Sequence, residues 1–241
     1  MLKVFALLCG LFTLILLSSQ TLVYASDSII FSASERPYNH SYADYAKQFW
    51  QWQFSMPGNE EHPIKDSTGE NCVNGQVSNS SPVFYLSGGG GGTFNRTCEV
   101  PKDKGLLIPI MTVVASPNEY QGYTFDQIQG VVRADQDSVQ YLNLRIDNQT
   151  YGTDDLSPYR TNPTSAFAVN YLCCPTLFGG EEGLTTLASA DGYYIVTKPL
   201  SPGKHIVHFD SGLGDSPITC KDPASTSCAF AQDITYTLNV S

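Results

Sequence analysis

Residues 233–240 read Asp-Ile-Thr-Tyr-Thr-Leu-Asn-Val, so that Ile234, Tyr236, Leu238 and Val240 alternate with Asp233, Thr235, Thr237 and Asn239. Successive side chains of a strand point to opposite faces, and this stretch therefore predicts a strand with one apolar and one polar face. The same period of two recurs upstream, where Leu142, Leu144 and Ile146 alternate with Tyr141, Asn143 and Arg145. Residues 106–114 (LLIPIMTVV) are apolar throughout, which suits a strand covered on both faces, with Pro109 marking a bulge or an end. Shorter runs at 83–86, 166–172, 193–197 and 205–209 read as further strands, and Pro199-Leu-Ser-Pro-Gly203 reads as the hairpin connection between the last two. Gly88 to Gly92 lacks the Gly-Lys-Ser/Thr of a phosphate loop and reads as a flexible hairpin loop. The expected fold is an antiparallel β-sandwich, jelly-roll or immunoglobulin-like, with one N-terminal aromatic helix and one inserted helix.

The first helix is expected over residues 41–56, where Tyr42, Tyr45, Ala46, Phe49, Trp50 and Gln53 recur at helical spacing before Pro57-Gly58 stops the run. Aromatic faces such as Tyr42, Tyr45, Trp50 and Trp52 can stack on sugar rings, but a stripe of this spacing is expected to pack on a sheet. Trp52 falls off the stripe and is the residue expected to meet a ligand. The second helix is expected to start at Thr124, with Gln127 completing a capping box and Phe125, Ile128, Val131 and Val132 forming its apolar face.

Composition narrows the function. Of 241 residues only 15% are charged, and 13 Lys and Arg stand against 23 Asp and Glu. A chain with so few charges is neither a coiled coil nor intrinsically disordered, and an acidic one repels phosphate backbones, which excludes nucleic acid as the expected partner. Residues 1–25 carry Lys3, an apolar run and a Val23-Tyr24-Ala25 cleavage pattern, so they are expected to be a signal peptide, leaving 26–241 as one secreted domain with no membrane span. Sequons at Asn39, Asn79, Asn95, Asn148 and Asn239 are glycosylation candidates. The six cysteines beyond the leader suit disulfides. Cys72 and Cys98 are expected to pair across the glycine run. Cys220 and Cys228 are the simplest second pair, leaving Cys173 and Cys174 to bond each other; the rival is that each of those two reaches Cys220 or Cys228.

No catalytic signature emerges. Asp66-Ser67-Thr68-Gly69 has one residue too many for an aspartic-protease motif and no second copy, so a turn is expected. His205 and His208 are three apart in a strand and point to opposite faces, so they cannot chelate one ion. Glu60-Glu61 and Glu181-Glu182 read as surface charge. Loop carboxylates at Asp135, Asp137, Asp154, Asp155, Asp210 and Asp215 leave a structural calcium ion open, with no other cofactor or metal expected.

The order of motifs carries a resemblance. Phe49-Trp50-Gln51-Trp52 is followed by Asp66-Ser-Thr-Gly69-x-x-Cys72-x-x-x-Gln76, Pro82-Val-Phe-Tyr-Leu86 and Arg96-Thr-Cys98-x-Val100-Pro101. Leu156-x-x-Tyr159-Arg160, Ala190-Asp191-Gly192-Tyr193 and Pro-Gly203-Lys204-His205-x-x-His208-Phe209 come later. This pattern is similar to a group of uncharacterised exported microbial proteins. The resemblance implies one secreted domain and no particular activity; Cys173-Cys174 and Cys220/Cys228 look like additions of this chain. The expected role is non-catalytic binding or building at the cell surface, with a glycan or an envelope protein as partner. The alternative is a secreted hydrolase of polysaccharide or peptide that assembles loop carboxylates.

Overall fold

The period of two becomes strand wherever the sequence predicts it, and the computed structural model describes residues 28–76, 81–214 and 230–241. Residues 1–25, Asn79, Asp215, Cys220 and Cys228 lie outside the described residues. Among the described residues the strands are β1 (Val83–Tyr85), β2 (Gly92–Val100), β3 (Gly105–Ala115), β4 (Val139–Ile146), β5 (Gln149–Tyr151), β6 (Phe167–Asn170), β7 (Thr185–Val196), β8 (Gly203–Leu213) and β9 (Phe230–Val240). The α-helices among the described residues are α1 (Tyr42–Gln53), α2 (Phe125–Asp137) and the single turn α3 (Thr153–Leu156). The protein is mainly β, in two sheets ordered β1-β3-β7-β6 and β2-β9-β8-β4-β5.

The expectation of purely antiparallel sheets is corrected. β1 runs parallel to β3, and β2 runs parallel to β9 over its whole length. The cause lies in the glycine run. It is not a hairpin loop; it carries the chain from β1 in one sheet to β2 in the other, and residues 101–104 carry it back to β3. β1 and β3, consecutive in their sheet, are thus joined by a crossover through the other sheet, the kind of long connection a parallel pair needs. The 199–203 connection, by contrast, does not join a hairpin, since β7 and β8 belong to different sheets.

β3 is apolar on both faces because both are covered. Val113 and Ala115 pack with Ile128 and Val132 of α2, while β3 also packs against β4 and β8 of the second sheet. The β3–β7 register slips between Pro109 and Met111, leaving Ile110 unmatched. Its carbonyl is satisfied across the sheets, accepting from Ser211 Oγ at 2.6 Å and Gln232 Nε2 at 2.7 Å. A bulge thus places buried polar side chains of one sheet on the backbone of the other, as the need to pair every buried backbone group demands.

Both long helices are capped as their sequences require. Ser41 and Asp44 form a capping box at the start of α1, and Thr124 and Gln127 form one at the start of α2. α1 packs on β7 and β6.

Candidate functional site

A cavity of about 320 Å³ opens beside the bulge of β3. Met111, Thr112, Val113 and Val114 of β3 form one wall, and Leu213 and Phe230, at the facing ends of β8 and β9, form another. Trp50 of α1, Phe178, Ile64 and the glycines Gly89 and Gly90 complete the lining. Its charged members are two carboxylates, Glu119 and Asp135. Two other hollows, one around Glu35, Asp155 and Lys198 and one around Gln51, Phe54 and Ala168, are more open to solvent.

The glycine crossover that closes this cavity is held by two side chains. Gln232 Oε1 accepts the Gly89 N–H at 3.0 Å while its Nε2 donates to Ile110, tying the crossover to the bulge. Gly89 has no room for a side chain, since a Cβ there would stand 2.5 Å from the Phe94 ring. Arg96, 2% exposed, points inward from β2. It donates to the carbonyls of Asp66 at 2.6 Å, Ser87 at 2.9 Å, Gly88 at 3.0 Å and Ile64 at 3.4 Å, and to the Tyr236 hydroxyl at 2.7 Å. The guanidinium also lies 4.7 Å from the Phe94 ring centroid and 5.4 Å from that of Tyr236. One buried cation therefore fixes both loops, 64–66 and 87–88, that lead into the cavity.

Glu119 is built into the wall by its own turn. One carboxylate oxygen accepts from the Ser116 amide at 2.9 Å and hydroxyl at 2.6 Å, and the other accepts a short bond from the Tyr171 hydroxyl. Burial, and then Glu119 itself, pushes the Tyr171 phenol well up, which keeps it a donor. Asp135 is buried in the last turn of α2 and accepts from Gln136 Nε2 at 3.1 Å. Phe178 caps the opening. It is 54% exposed, yet its ring sits 6.1 Å from Trp50 and 6.0 Å from Phe54. Its backbone lies in the left-handed region at φ 57°, a conformation that bulky residues avoid.

Both tryptophans are buried, Trp50 as expected of the structural stripe. Trp52 is 2% exposed, packs on Phe49 and Tyr85, and donates its indole N–H to the Asn74 carbonyl at 3.1 Å. Trp50, on the expected structural stripe, is the one on the cavity wall. Tyr42 and Tyr45 are buried and bond the carbonyls of Phe31 and Pro37.

The remaining candidates fall into structural roles. Asp66 makes the expected turn, accepting from Thr68 and Gly69 through one oxygen and from Asn71 through the other. Burial alone would raise its pKa, but those bonds outweigh it and hold the carboxyl below the ordinary aspartate range. His205 bonds Asp147 and His208 bonds Asp233, on opposite faces of β8. The acidic groups expected in loops are dispersed. Asp135 and Asp137 lie in α2, Asp137 pairs with Arg160, Asp155 caps α3, and Asp210 accepts from Asn143. Asn39, Asn95 and Asn148 are exposed, whereas Asn239 is half-buried and its amide donates to Glu99 at 2.7 Å.

Cys72 and Cys98 are bonded, with Cα atoms 6.1 Å apart. Cys173 and Cys174 are bonded to each other in the bend after β6. Glu182 lies beside them, the three ligand atoms all within 4.8 Å of one another; with the sulfurs joined, no thiolate pair is left to hold an ion.

Other motifs of the sequence also find physical explanations. Gln76 brackets Tyr85, donating to its carbonyl and accepting from its amide. Arg160 forks onto the fully buried Asp191 at 2.8–3.2 Å and reaches Asp137 at 2.6 Å, which joins the Tyr159-Arg160 and Asp191-Gly192 motifs into one ion pair. These motifs hold the scaffold; the cavity's Phe178, Glu119 and Met111 belong to none of them. The one sequence signal for Phe178 is an aromatic residue inserted directly before Gly179-Gly180.

No family model matches the chain, and no curated protein matches it. One chain of the solved complex of PbICP-C with falcipain-2 is similar at 12% identity and a TM-score of 0.22, over 68% of this chain and 96% of that one. Likeness at that level carries neither fold nor partner across. Among the described residues, no helix is long and apolar enough to cross a membrane.

Proposed function

We propose that this chain is an exported, disulfide-stabilised domain, a two-sheet sandwich of the immunoglobulin-like kind, that binds an apolar group in the Trp50–Phe178 cavity without transforming it. The observation that carries the reading is a largely apolar, aromatic-walled cavity whose Glu119 carboxylate is already engaged by protein donors on both oxygens. General acid–base work needs a carboxyl with a proton or lone pair aimed at substrate, and Glu119 spends its oxygens on Ser116 and Tyr171. An apolar lining favours an aromatic or aliphatic group over a bare sugar, which needs many polar partners. The strained, exposed Phe178 is the residue best placed to meet the incoming group.

The test is a titration of the purified protein with small aromatic and aliphatic compounds and with oligosaccharides, followed by methyl NMR. Shifts at Met111, Val113 and Val114 that saturate with an apolar compound, and that vanish in Phe178→Ser, are the expected result. A hydrolytic activity on polysaccharide or peptide that survives in the parent and dies in Glu119→Gln would establish the hydrolase instead.

A further inference from the structure

We infer that the group this cavity takes is a small organic cation, an ammonium ion on an aromatic or aliphatic body. The inference rests on the cavity being a binding site and adds its charge selectivity. Three independent features agree. Among the described lining residues the charged ones are two carboxylates, Glu119 and Asp135. The apolar lining includes Trp50, Phe178 and Phe230, and aromatic faces attract a cation through their quadrupole, most strongly when water is excluded. The chain as a whole carries a formal charge of −10, so the surrounding field draws cations and repels anions.

The positions of the two acids matter as much as their sign. Glu119 follows β3 and is clamped by Ser116 and Tyr171; Asp135 enters from α2, whose Ile128 and Val132 lock it against β3. Two carboxylates from different elements thus border one apolar space, and both are held by packing rather than left on mobile side chains. A preorganised anionic end costs a cationic ligand little on binding, whereas a carboxylate ligand there meets like charge. Hydrogen bonds from Ser116 and Tyr171 orient the Glu119 carboxylate without cancelling its charge. At about 320 Å³ the cavity lies at the small end of ligand sites, which suits a single ring or short chain bearing one ammonium group.

Three probes of one shape test this: phenethylammonium, neutral 2-phenylethanol and anionic 3-phenylpropanoate, each titrated into the full chain at pH 7 and low salt by calorimetry and Trp fluorescence. The expected result is that phenethylammonium binds at least about 10-fold more tightly than the alcohol, equivalent to about 1.4 kcal/mol, and that the anion binds weakest. Glu119→Gln is expected to reduce that preference several-fold. Asp135→Asn, checked for folding by its melting curve, repeats the measurement at the second acid. Equal binding of cation and alcohol, or a preference indifferent to both substitutions, overturns the charge selectivity and leaves the apolar site standing. If none of the three probes binds, the cavity is not a binding site and both readings fall together.

Discussion

Replacing Arg96 by Met keeps a long side chain in the core and removes the donors that organise the cavity's loops. In the parent, the guanidinium serves the carbonyls of Asp66, Gly88, Ser87 and Ile64 and the Tyr236 hydroxyl. The Ser87 carbonyl keeps a partner in the variant, because Tyr236 donates to it at 2.9 Å. The Asp66 and Gly88 carbonyls lose the guanidinium, and each buried acceptor left without a donor costs about 1–3 kcal/mol. Against this, Met is spared the desolvation of a buried charge, which recovers part of the loss. The net expectation is a destabilisation of about 2–4 kcal/mol, the cost of two unsatisfied buried acceptors less the desolvation recovered. Urea denaturation followed by tryptophan fluorescence measures it; the midpoint should fall with the slope unchanged, since the surface exposed on unfolding is the same. Arg96→Lys should recover only part of the difference, because an ammonium cannot span carbonyls on two separate loops. A Met variant within about 1 kcal/mol of the parent would refute the reasoning, for it would mean that desolvation of the guanidinium cancels its bonds.

Arg160→Ala leaves Asp191, with 0% of its side chain exposed, as a buried charge without its forked partner, and is expected to cost about 3–5 kcal/mol in the same denaturation assay. Trp50→Ala removes a ring that packs on Phe49, Phe54 and Phe178, and a drop of about 3–5 kcal/mol is expected from thermal melts; a variant that melts like its parent would make the ring a ligand surface alone. Opening the Cys72–Cys98 bond, which spans 26 residues, should cost about 3–4 kcal/mol in the chain-entropy model, read from the Cys72→Ala, Cys98→Ala double variant. Burial holds the His62 imidazole below its usual range, with Nε2 on the Gln53 carbonyl and Nδ1 accepting the Ile64 amide. The neutral form is the folded one, so its contribution is complete above the unfolded value of about 6.5 and is lost as pH falls through the folded pKa. Replacement by Leu should therefore flatten the decline in stability between about pH 7 and pH 5; an unchanged slope there would place that titration elsewhere.

Period and punctuation carried most of the secondary structure. The alternation at 141–146 and 233–240, the continuous apolar run of β3 with its Pro109 irregularity, and the capping residues Ser41 and Thr124 act over a few neighbouring residues, and the chain shows them without its fold. The Asp66 turn is legible for the same reason, because its carboxylate bonds amides two to five residues on. Burial pattern says which side of a strand is covered, but never by what. A glycine run permits either a turn back or a crossing, and only the tertiary structure shows that it crosses to the other sheet, with β1 parallel to β3 and β2 parallel to β9. The two tryptophans show the same limit: with both sides of α1 buried, helical spacing separates Trp50 from Trp52 by angle but cannot say which side borders a cavity. The cavity itself draws on residues from Trp50 to Phe230. Its aromatic and acidic lining is an arrangement of surfaces far apart in the chain, which packing alone brings together.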